Sequence, residues 1–153
     1  MTASRDTQAL DREVRYQVYD HTMSRLKPPL VADVTRAMGA SEAEIRAAFQ
    51  RLADAHILVL QNESGEILMA NPFSAVPTPF FVYTEHGDAW GNCIWDSLGI
   101  PAMLGTDARI DTGCGDCNES MTLEIKGQEL ASGEGIVHFS VPAKRWWDNI
   151  KFS

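Results

Sequence analysis

The segment NPFSAVPTPF at residues 71–80 holds three prolines and is the feature that most constrains how this chain can fold. Proline fixes its backbone φ and lacks an N–H group, so neither a helix nor a central strand can run through this segment. A chain of 153 residues is long enough for one domain or for two small subdomains that share an interface. We therefore predict an N-terminal lobe at 1–70, an extended connector at 71–80 and a C-terminal lobe at 81–153.

The N-terminal lobe begins with three helix patterns. Residues 9–26 place apolar side chains on one helical stripe, and the prolines that follow end that helix. Residues 30–38 form a second, shorter pattern that stops at a glycine. Residues 41–56 open with a capping box, in which Ser41 accepts a hydrogen bond from the third helical amide and Glu44 accepts one from the amide of Ser41. The lobe is therefore predicted to contain three helices.

Two short apolar runs follow the third helix. The runs ILVL at 57–60 and ILMA at 67–70 flank a polar turn that contains glycine, which predicts a hairpin. Three helices followed by a hairpin is the order of a winged helix, so we predict a winged-helix-like lobe. Such a lobe either binds DNA or serves as a module for packing.

The charge pattern argues against a nucleic-acid partner. The chain has a formal net charge of −8, and its third helix begins with Glu42 and Glu44 and offers only Arg46 and Arg51 to a phosphate backbone. Nucleic-acid binding gains most of its affinity from clustered lysine and arginine. We therefore favour the packing module. The sequence also lacks an apolar run of membrane-spanning length, so we expect no membrane partner.

The C-terminal lobe alternates strand patterns with one helix pattern. Strands are predicted at 80–84, 108–111, 121–126 and 135–141, with a turn at 85–88. A short helix is predicted at 89–99, ended by Gly99 and Pro101. We predict a small mixed β-sheet with this helix packed against it, so the fold class is α+β.

The predicted helix carries Cys93 and Asp96 three residues apart, beside Trp90 and Trp95. On a helix these two positions share a face, so the thiol and the carboxyl group can reach a common site. A thiolate attacks soft electrophiles and binds soft metals, and a nearby carboxylate can accept its proton and pass it on. The alternative is structural, because a free cysteine is often buried as a small apolar side chain. The spacing alone leaves both interpretations open.

Cys114 and Cys117 form a C-x-x-C motif, and the chain has three cysteines in all. The N-terminal sequence lacks the apolar stretch of a secretory signal, so we expect a cytoplasmic protein with reduced thiols. A closed zinc site needs four ligands, but the sequence has no second C-x-x-C and no H-x-x-x-H. A reduced structural turn, or a pair of thiols for a soft metal, fits better than structural zinc. We expect no resident metal ion and no cofactor.

The other residues able to carry chemistry are histidines and tryptophans. The histidines are scattered and form no catalytic motif with a cysteine, so we interpret all of them as structural: His21, His56, His86 and His138. His138 alternates with apolar neighbours in a predicted strand. We expect Trp146 and Trp147 to pack the two lobes together rather than to line a site.

Two segments of the C-terminal lobe carry a more specific pattern. The segment WGNCIWDSLGIPAMLG at 90–105 contains C-x-x-D-x-L followed by P-A-x-L-G, and ARIDTGC at 108–114 places a cysteine twenty-one residues after the first. Over most of its length the chain resembles the alkylmercury lyase (organomercurial lyase) family. The resemblance implies a cytoplasmic enzyme of mercury resistance that cleaves the carbon-mercury bond of organomercurials, releasing a hydrocarbon and Hg(II).

The resemblance also implies residue roles. In that family the first cysteine captures the organomercurial as a thiolate, the aspartate three residues on carries the proton to carbon, and a later cysteine completes the attack. Cys93 and Asp96 match the first two positions, and we predict them to be catalytic and mercury-binding. Cys114 matches a cysteine usually considered structural, and Cys117 is a further candidate for mercury binding. The sequence has no cysteine after Cys117, so the second thiol must come from Cys114, Cys117 or an external thiol acting as co-substrate.

The expected partner is a small organomercurial, and the sequence leaves the oligomeric state open. An alternative function is a thiol-based metal-binding or metal-sensing protein that has a winged-helix-like lobe but no lyase activity. The basis for this alternative is the N-terminal lobe together with CGDC at 114–117.

Overall fold

The computed structural model describes residues 6–151, and residues 1–5 and 152–153, at the outer ends of the two predicted lobes, lie outside this range. The elements in chain order are α1 Thr7–Arg25, α2 Val31–Met38, α3 Glu42–Asp54, β1 Val59–Leu60, β2 Ile67–Ala70, β3 Phe73–Ser74, β4 Phe81–Thr84, β5 Gly87–Trp90, α4 Ile94–Leu104, β6 Ala108–Gly113, β7 Ser120–Lys126, β8 Glu129–Ser132 and a 3₁₀ helix Ala143–Asp148. Within the described range, no helix combines the length and apolar character needed to cross a lipid bilayer.

The three N-terminal helices lie where the sequence predicts them, and the predicted capping box is confirmed. The amide of Glu44 donates to Ser41 Oγ at 3.3 Å, and the amide of Ser41 donates to Glu44 Oε2 at 2.9 Å. The buried faces of these helices form the first hydrophobic core with the start of the first sheet. Its fully buried members include Val14, Val18, Ile45, Phe49 and Ile67.

Both arginines of α3 pair with carboxylates of the same lobe. Arg46 Nε lies 2.7 Å from Glu42 Oε1, and an Arg51 guanidinium nitrogen lies 2.6 Å from Asp11 Oδ1. These pairings fit a lobe used for packing, because the cations are already neutralised by neighbouring acids. The winged-helix character of the lobe and the lack of a nucleic-acid partner stay predictions.

A three-stranded antiparallel sheet joins the N-terminal lobe to the connector. Its order is β1-β2-β3, and Ala70 of β2 pairs with Phe73 of β3. The sequence analysis did not predict β3, which lies inside the proline-rich segment 71–80. A strand of two residues is too short to leave a pattern in the sequence, so β3 is recognised only from its pairing with β2 in the structure. The lobe boundaries at 70 and 80 stay a prediction.

The larger sheet has the order β5-β4-β6-β7-β8 and is antiparallel throughout rather than mixed. Short turns connect most of its consecutive strands, and such turns produce antiparallel pairs. The predicted strand at 135–141 is wrong, since residues 133–139 have no regular structure. The apolar run there faces solvent, with Ile136 93% exposed, so nothing holds it in a sheet. A strand at Gly87–Trp90 was missed because glycine and aspartate resemble turn residues.

Helix α4 differs from the prediction at both ends. Cys93 is the N-cap residue rather than a helical residue, and the helix continues through Pro101 to Leu104, followed by Gly105 as the C-cap residue with a φ of +67°. Ile100 and Pro101 are buried, Ile100 packs against the larger sheet, and this burial outweighs the low helix propensity of Gly99 and Pro101.

A second hydrophobic core lies between α4 and the larger sheet. Ile100 of α4 packs there with Val82 and Ile110 from neighbouring strands. Leu26 at the end of α1 and Phe73 of β3 belong to the same cluster. The two predicted lobes therefore share buried apolar contacts, which fixes the start of α4 close to the connector.

Candidate functional site

Cys93 and Asp96 face a cavity of about 110 Å³ at the junction of β5 and α4. The residues that line it come from β2, the connector, the start of α4 and the C-terminal segment: Met69, Asn71, Asn92, Cys93, Trp95, Asp96, Phe139, Trp146, Ile150 and Lys151. Two ionisable or reactive groups of α4 thus lie among apolar and aromatic side chains. This composition is typical of a small-molecule site.

Gly91 determines how tightly the chain turns from β5 into α4. A Cβ atom at this position would lie 2.9 Å from the backbone nitrogen of Ser97, which is closer than real Cβ contacts allow. The Gly91 carbonyl accepts a hydrogen bond of 2.6 Å from Thr78 Oγ1. Ser97 Oγ donates to the Cys93 carbonyl at 2.8 Å. These contacts hold Cys93 in extended backbone at the first turn of the helix.

The Cys93 thiol and the Asp96 carboxyl group line the same cavity, and each affects the pKa of the other. Burial raises the pKa of the Cys93 thiol above its ordinary value, and the negative charge of Asp96 adds to this increase. Hydrogen bonding from the backbone amides of Asp96 and Trp95 acts in the opposite direction, because helix N-terminal amides stabilise a thiolate. The sulfur therefore combines a buried position with amides that favour its ionised form.

Burial also raises the pKa of Asp96 above its ordinary value. Hydrogen bonds from Asn92 and Cys93 offset part of the increase, because they stabilise the carboxylate. A carboxyl group in this environment keeps its proton to higher pH than an exposed aspartate. The arrangement can hold a proton beside the thiol and release it into the cavity.

Asn92 is a site residue that the sequence analysis missed. Its side-chain nitrogen donates to Asn71 Oδ1 at 3.1 Å and to the Pro72 carbonyl at 3.2 Å, in the connector. The side-chain oxygen of Asn92 is buried and has no hydrogen-bond partner among residues 6–151. The only sequence signal that could have identified Asn92 as a site residue was its position directly before Cys93. Asn92 therefore links the connector to the carboxyl group of Asp96.

Aromatic side chains form one wall of the cavity. The rings of Phe139 and Trp146 lie 4.9 Å apart between centroids, and Trp95 approaches Phe139 at 6.4 Å. The prediction that Trp146 packs the lobes together rather than lining a site is wrong, because the segment 139–151 folds back over α4. Trp147 does join the lobes, since its ring stacks on His56 with centroids 4.2 Å apart. His138 lies outside any strand and is exposed.

The N-terminal lobe also contributes to the environment of the cavity. Lys151 Nζ donates to Asn62 Oδ1 at 2.7 Å, which anchors the end of the described chain to the turn between β1 and β2. The pKa of Tyr19 on α1 is raised, mainly by burial, and the negative charge of Asp96 contributes. The site is therefore assembled from both halves of the chain.

Cys114 and Cys117 lie in the turn that connects β6 to β7 and do not line this cavity. All three cysteines are free. The structure thus brings Cys93 and Asp96 together and places Cys117, the third predicted mercury ligand, on an exposed turn. No cluster of three or more histidine, cysteine, aspartate or glutamate side chains suited to a metal ion occurs among residues 6–151.

The fold and the site define a protein in which the N-terminus of a helix presents a cysteine thiol and an aspartate carboxyl group to an apolar cavity. The chain belongs to the alkylmercury lyase family, because the family described as "MerB: Alkylmercury lyase" matches residues 73–152, which is more than half of the chain. This match confirms the predicted family. No curated protein matches the chain.

A solved structure supports the fold. The structure titled "Crystal structure of the mercury-bound form of MerB2" superposes with a TM-score of 0.58 at 15% sequence identity. The match covers 86% of this chain and 61% of that chain, so this chain spans about three fifths of the length of its structural neighbour. The likeness confirms the α+β fold class.

Proposed function

We propose that this protein is an organomercurial lyase-like enzyme that captures an organomercurial at Cys93 and protonates its carbon atom from Asp96. The observation that carries the proposal is that the Cys93 thiol and the Asp96 carboxyl group line one small cavity with apolar and aromatic walls. Membership of the alkylmercury lyase family supports this class of reaction. The substrate is a small organomercurial, and the products are a hydrocarbon and Hg(II).

Capture is an exchange of thiolates on mercury. In a solution that contains thiols, the substrate arrives as R–Hg–SR′, and the Cys93 sulfur forms a new bond to mercury while the bond to SR′ breaks. The departing thiolate takes up the proton of Cys93 and leaves as R′SH. The amides of Trp95 and Asp96 stabilise the sulfur while it is ionised. Burial keeps Cys93 a thiol until mercury arrives, because it disfavours an unpaired thiolate.

Cleavage transfers a proton from Asp96 to the carbon bound to mercury. The raised pKa of Asp96 supports this role, since the group retains a proton at a pH where an exposed aspartate has lost it. The electron pair of the carbon-mercury bond becomes the new carbon-hydrogen bond. Mercury stays on Cys93 as Hg(II), so no electron is exchanged with any other group. The Asp96 carboxylate that remains then lies beside the metal.

A second thiolate on mercury completes the reaction. It pushes electron density onto the metal while the proton reaches carbon, and it fills the coordination position that the organic group leaves. In the described part of the chain, Cys93 is the one cysteine that lines the cavity. We therefore assign this role to an external thiol, which enters with the substrate as a co-substrate.

The cavity limits the size of the organic group. Met69, Trp95, Phe139, Trp146 and Ile150 provide an apolar lining, and apolar surfaces favour an alkyl or aryl group over a charged one. A volume of about 110 Å³ suits a short alkyl chain or a single aromatic ring. The proposed substrates are therefore small alkylmercury and phenylmercury compounds.

The alternative is a thiol-based protein that binds or senses mercury without cleaving the carbon-mercury bond. It is favoured by the same cavity, because a single protein thiol gives a bound adduct that is stable at neutral pH. Both functions require reduced cysteines, so the proposal places the protein in a reducing compartment such as the cytoplasm.

Incubation of the purified protein with phenylmercury and excess thiol separates the two functions. The enzyme releases benzene over many turnovers, and Cys93→Ser reduces release to the rate without protein. Cys117→Ser is the matched control, since this cysteine lies outside the cavity and its loss leaves benzene release unchanged. Stoichiometric retention of phenylmercury with no benzene would establish the binder and remove the enzyme.

A further inference from the structure

The turn between β6 and β7 brings two thiols together on the surface. Strand β6 ends at Gly113 and β7 begins at Ser120, and these two residues pair. The amide of Cys114 donates to the Glu119 carbonyl at 2.8 Å, and the amide of Asn118 donates to the Cys114 carbonyl at 2.9 Å. These backbone hydrogen bonds close the turn, so the cysteine side chains are held by the sheet rather than by a flexible loop.

The same turn keeps the two thiols near each other. The hydrogen bond from Asn118 to the Cys114 carbonyl closes one helical-type turn over residues 114–118, and side chains three positions apart in such a turn lie on the same side. Because Cys117 is exposed and Cys114 is half-buried, a solute can reach both sulfurs.

We propose that Cys114 and Cys117 form a dithiol site that binds one Hg(II) ion between two sulfurs, separately from Cys93. Hg(II) forms stable complexes with only two thiolates, whereas a closed zinc site needs four ligands. No third histidine, cysteine, aspartate or glutamate completes a metal cluster here within residues 6–151. The donor set therefore selects a soft, two-coordinate ion. The expectation that the protein encounters Hg(II) rests on the proposed function. The capacity of the two thiols to bind Hg(II) does not depend on that function.

The binding step balances as a thiol exchange. Hg(II) arrives as the bis-thiolate R′S–Hg–SR′, two bonds form from mercury to the sulfurs of Cys114 and Cys117, and both bonds to R′S break. Each departing thiolate takes one proton, from Cys114 and from Cys117 in turn, and leaves as R′SH. No group is oxidised or reduced. Two linked thiols bind more tightly than two separate ones, because the second bond forms within one molecule.

The dithiol turn opens at the same end of the larger sheet as Cys93. Trp90 pairs with Phe81, and Phe81 pairs with Asp111, so these residues form one row across β5, β4 and β6. Cys93 follows Trp90 by three residues, and Cys114 follows Asp111 by three residues. The two strands lie roughly 10 Å apart at ordinary strand spacing. The dithiol turn and Cys93 are therefore separate thiol positions near one end of this sheet.

Mercury binding by the Cys93→Ser protein tests the dithiol directly. Hg(II) is added in the presence of an excess of a monothiol and a non-thiol reductant, and the complex is measured by native mass spectrometry and by sulfur-to-mercury charge-transfer absorption. One Hg(II) is expected per Cys93→Ser chain. Further replacement of Cys117 by serine is expected to lower the affinity by about 100-fold or more, since one link of the chelate is lost.

The controls keep this result distinct from the lyase proposal. Cys117→Ser changes one exposed atom, and circular dichroism checks that the variant keeps its fold. Equal Hg(II) binding by Cys93→Ser and by Cys93→Ser/Cys117→Ser would overturn the dithiol site. So would the absence of Hg(II) from a folded Cys93→Ser protein. Benzene release by the wild-type chain is measured separately, so a failure of the lyase leaves the outcome for the dithiol readable.

Discussion

The Cys93 thiol and the Asp96 carboxyl group lie beside one cavity at the N-terminus of α4, where burial raises the pKa of both. Burial disfavours the charged form of each group. A soft cation that binds the sulfur removes the proton from the thiol and brings positive charge close to the carboxyl group. In the proposed function, mercury binding therefore shifts the protonation of both groups.

Replacement of Asp96 by asparagine separates capture from cleavage. The asparagine side chain keeps the shape of the aspartate but has no acidic proton, so we expect benzene release from phenylmercury to fall by about 100-fold or more. Phenylmercury remains bound to Cys93, because that bond does not require the carboxyl group. Mass spectrometry of the Asp96→Asn variant after incubation should detect the phenylmercury adduct. Unchanged benzene release would show that another group supplies the proton.

The rate of carbon-mercury bond cleavage should fall as the pH rises. A carboxyl group with a raised pKa stays protonated above the range of an exposed aspartate and loses its proton as the pH rises through the raised value. Single-turnover benzene release from the preformed phenylmercury adduct measures this step without the capture step. We expect the rate to be highest at low pH and to decline through that pKa. A rate that rises with pH would contradict the role of Asp96 as proton donor.

Asn92 is expected to act as a positioning residue for Asp96. The Asn92 amide is held by Asn71 and Pro72 of the connector, and Asn92 lowers the pKa of the neighbouring Asp96 carboxyl group, so its loss should disturb that carboxyl group. Asn92→Ala should lower kcat by about tenfold and leave KM for phenylmercury nearly unchanged. Asn71→Ala is the matched control, because it removes one acceptor of the link and leaves Asn92 in contact with the Pro72 carbonyl. A variant that changes KM alone would assign Asn92 to substrate binding instead.

Phe139 should set the preference for the organic group. Its ring packs on Trp146 in the wall of the cavity. Loss of one aromatic contact with the phenyl group of the substrate costs about 1 kcal/mol, which corresponds to about fivefold in affinity for phenylmercury. Phe139→Leu should therefore raise KM for phenylmercury by about fivefold and change KM for methylmercury much less. Competition between the two substrates gives the ratio directly. Equal effects on both would show that the aromatic wall does not contact the organic group.

Gly91→Ala should destabilise the fold around the site. The added methyl group meets the backbone of Ser97, and relief of that clash requires α4 to shift. We expect the free energy of unfolding in urea to fall by about 1 to 3 kcal/mol. Gly115→Ala is the control, because a Cβ atom there has no neighbour within 4 Å. Equal stability of the two variants would mean that the junction tolerates a side chain.

Local signals in the sequence predicted the helices. The helix ends and short strands that these signals did not predict depend on tertiary contacts. The capping box of Ser41 and Glu44 is a contact between close neighbours, so its residue types predict the start of α3. The continuation of α4 through Pro101 accompanies the burial of Pro101 and of Ile100, and helix propensity carries no information about that burial. A local pattern therefore predicts a boundary only where local contacts decide it.

The candidate site follows the same rule. Cys93 and Asp96 are neighbours in sequence, so their spacing and the family resemblance were sufficient to predict the pair. Phe139 reaches the cavity from a segment without regular structure and Trp146 from a short 3₁₀ helix, so neither position follows a long periodic pattern in the sequence. The exposed run around Ile136 resembled a strand because apolar residues alternate there, but no neighbouring strand pairs with it in the described residues.

A single turnover of phenylmercury in deuterated buffer tests the central claim most directly. The protein is loaded at Cys93 with one phenylmercury per chain, an external thiol is added, and benzene and protein-bound mercury are measured in the same sample. We predict one molecule of singly deuterated benzene for each Hg(II) left on the protein, since one acidic deuteron reaches one carbon. Mercury that leaves the protein with its phenyl group still attached would contradict the claim.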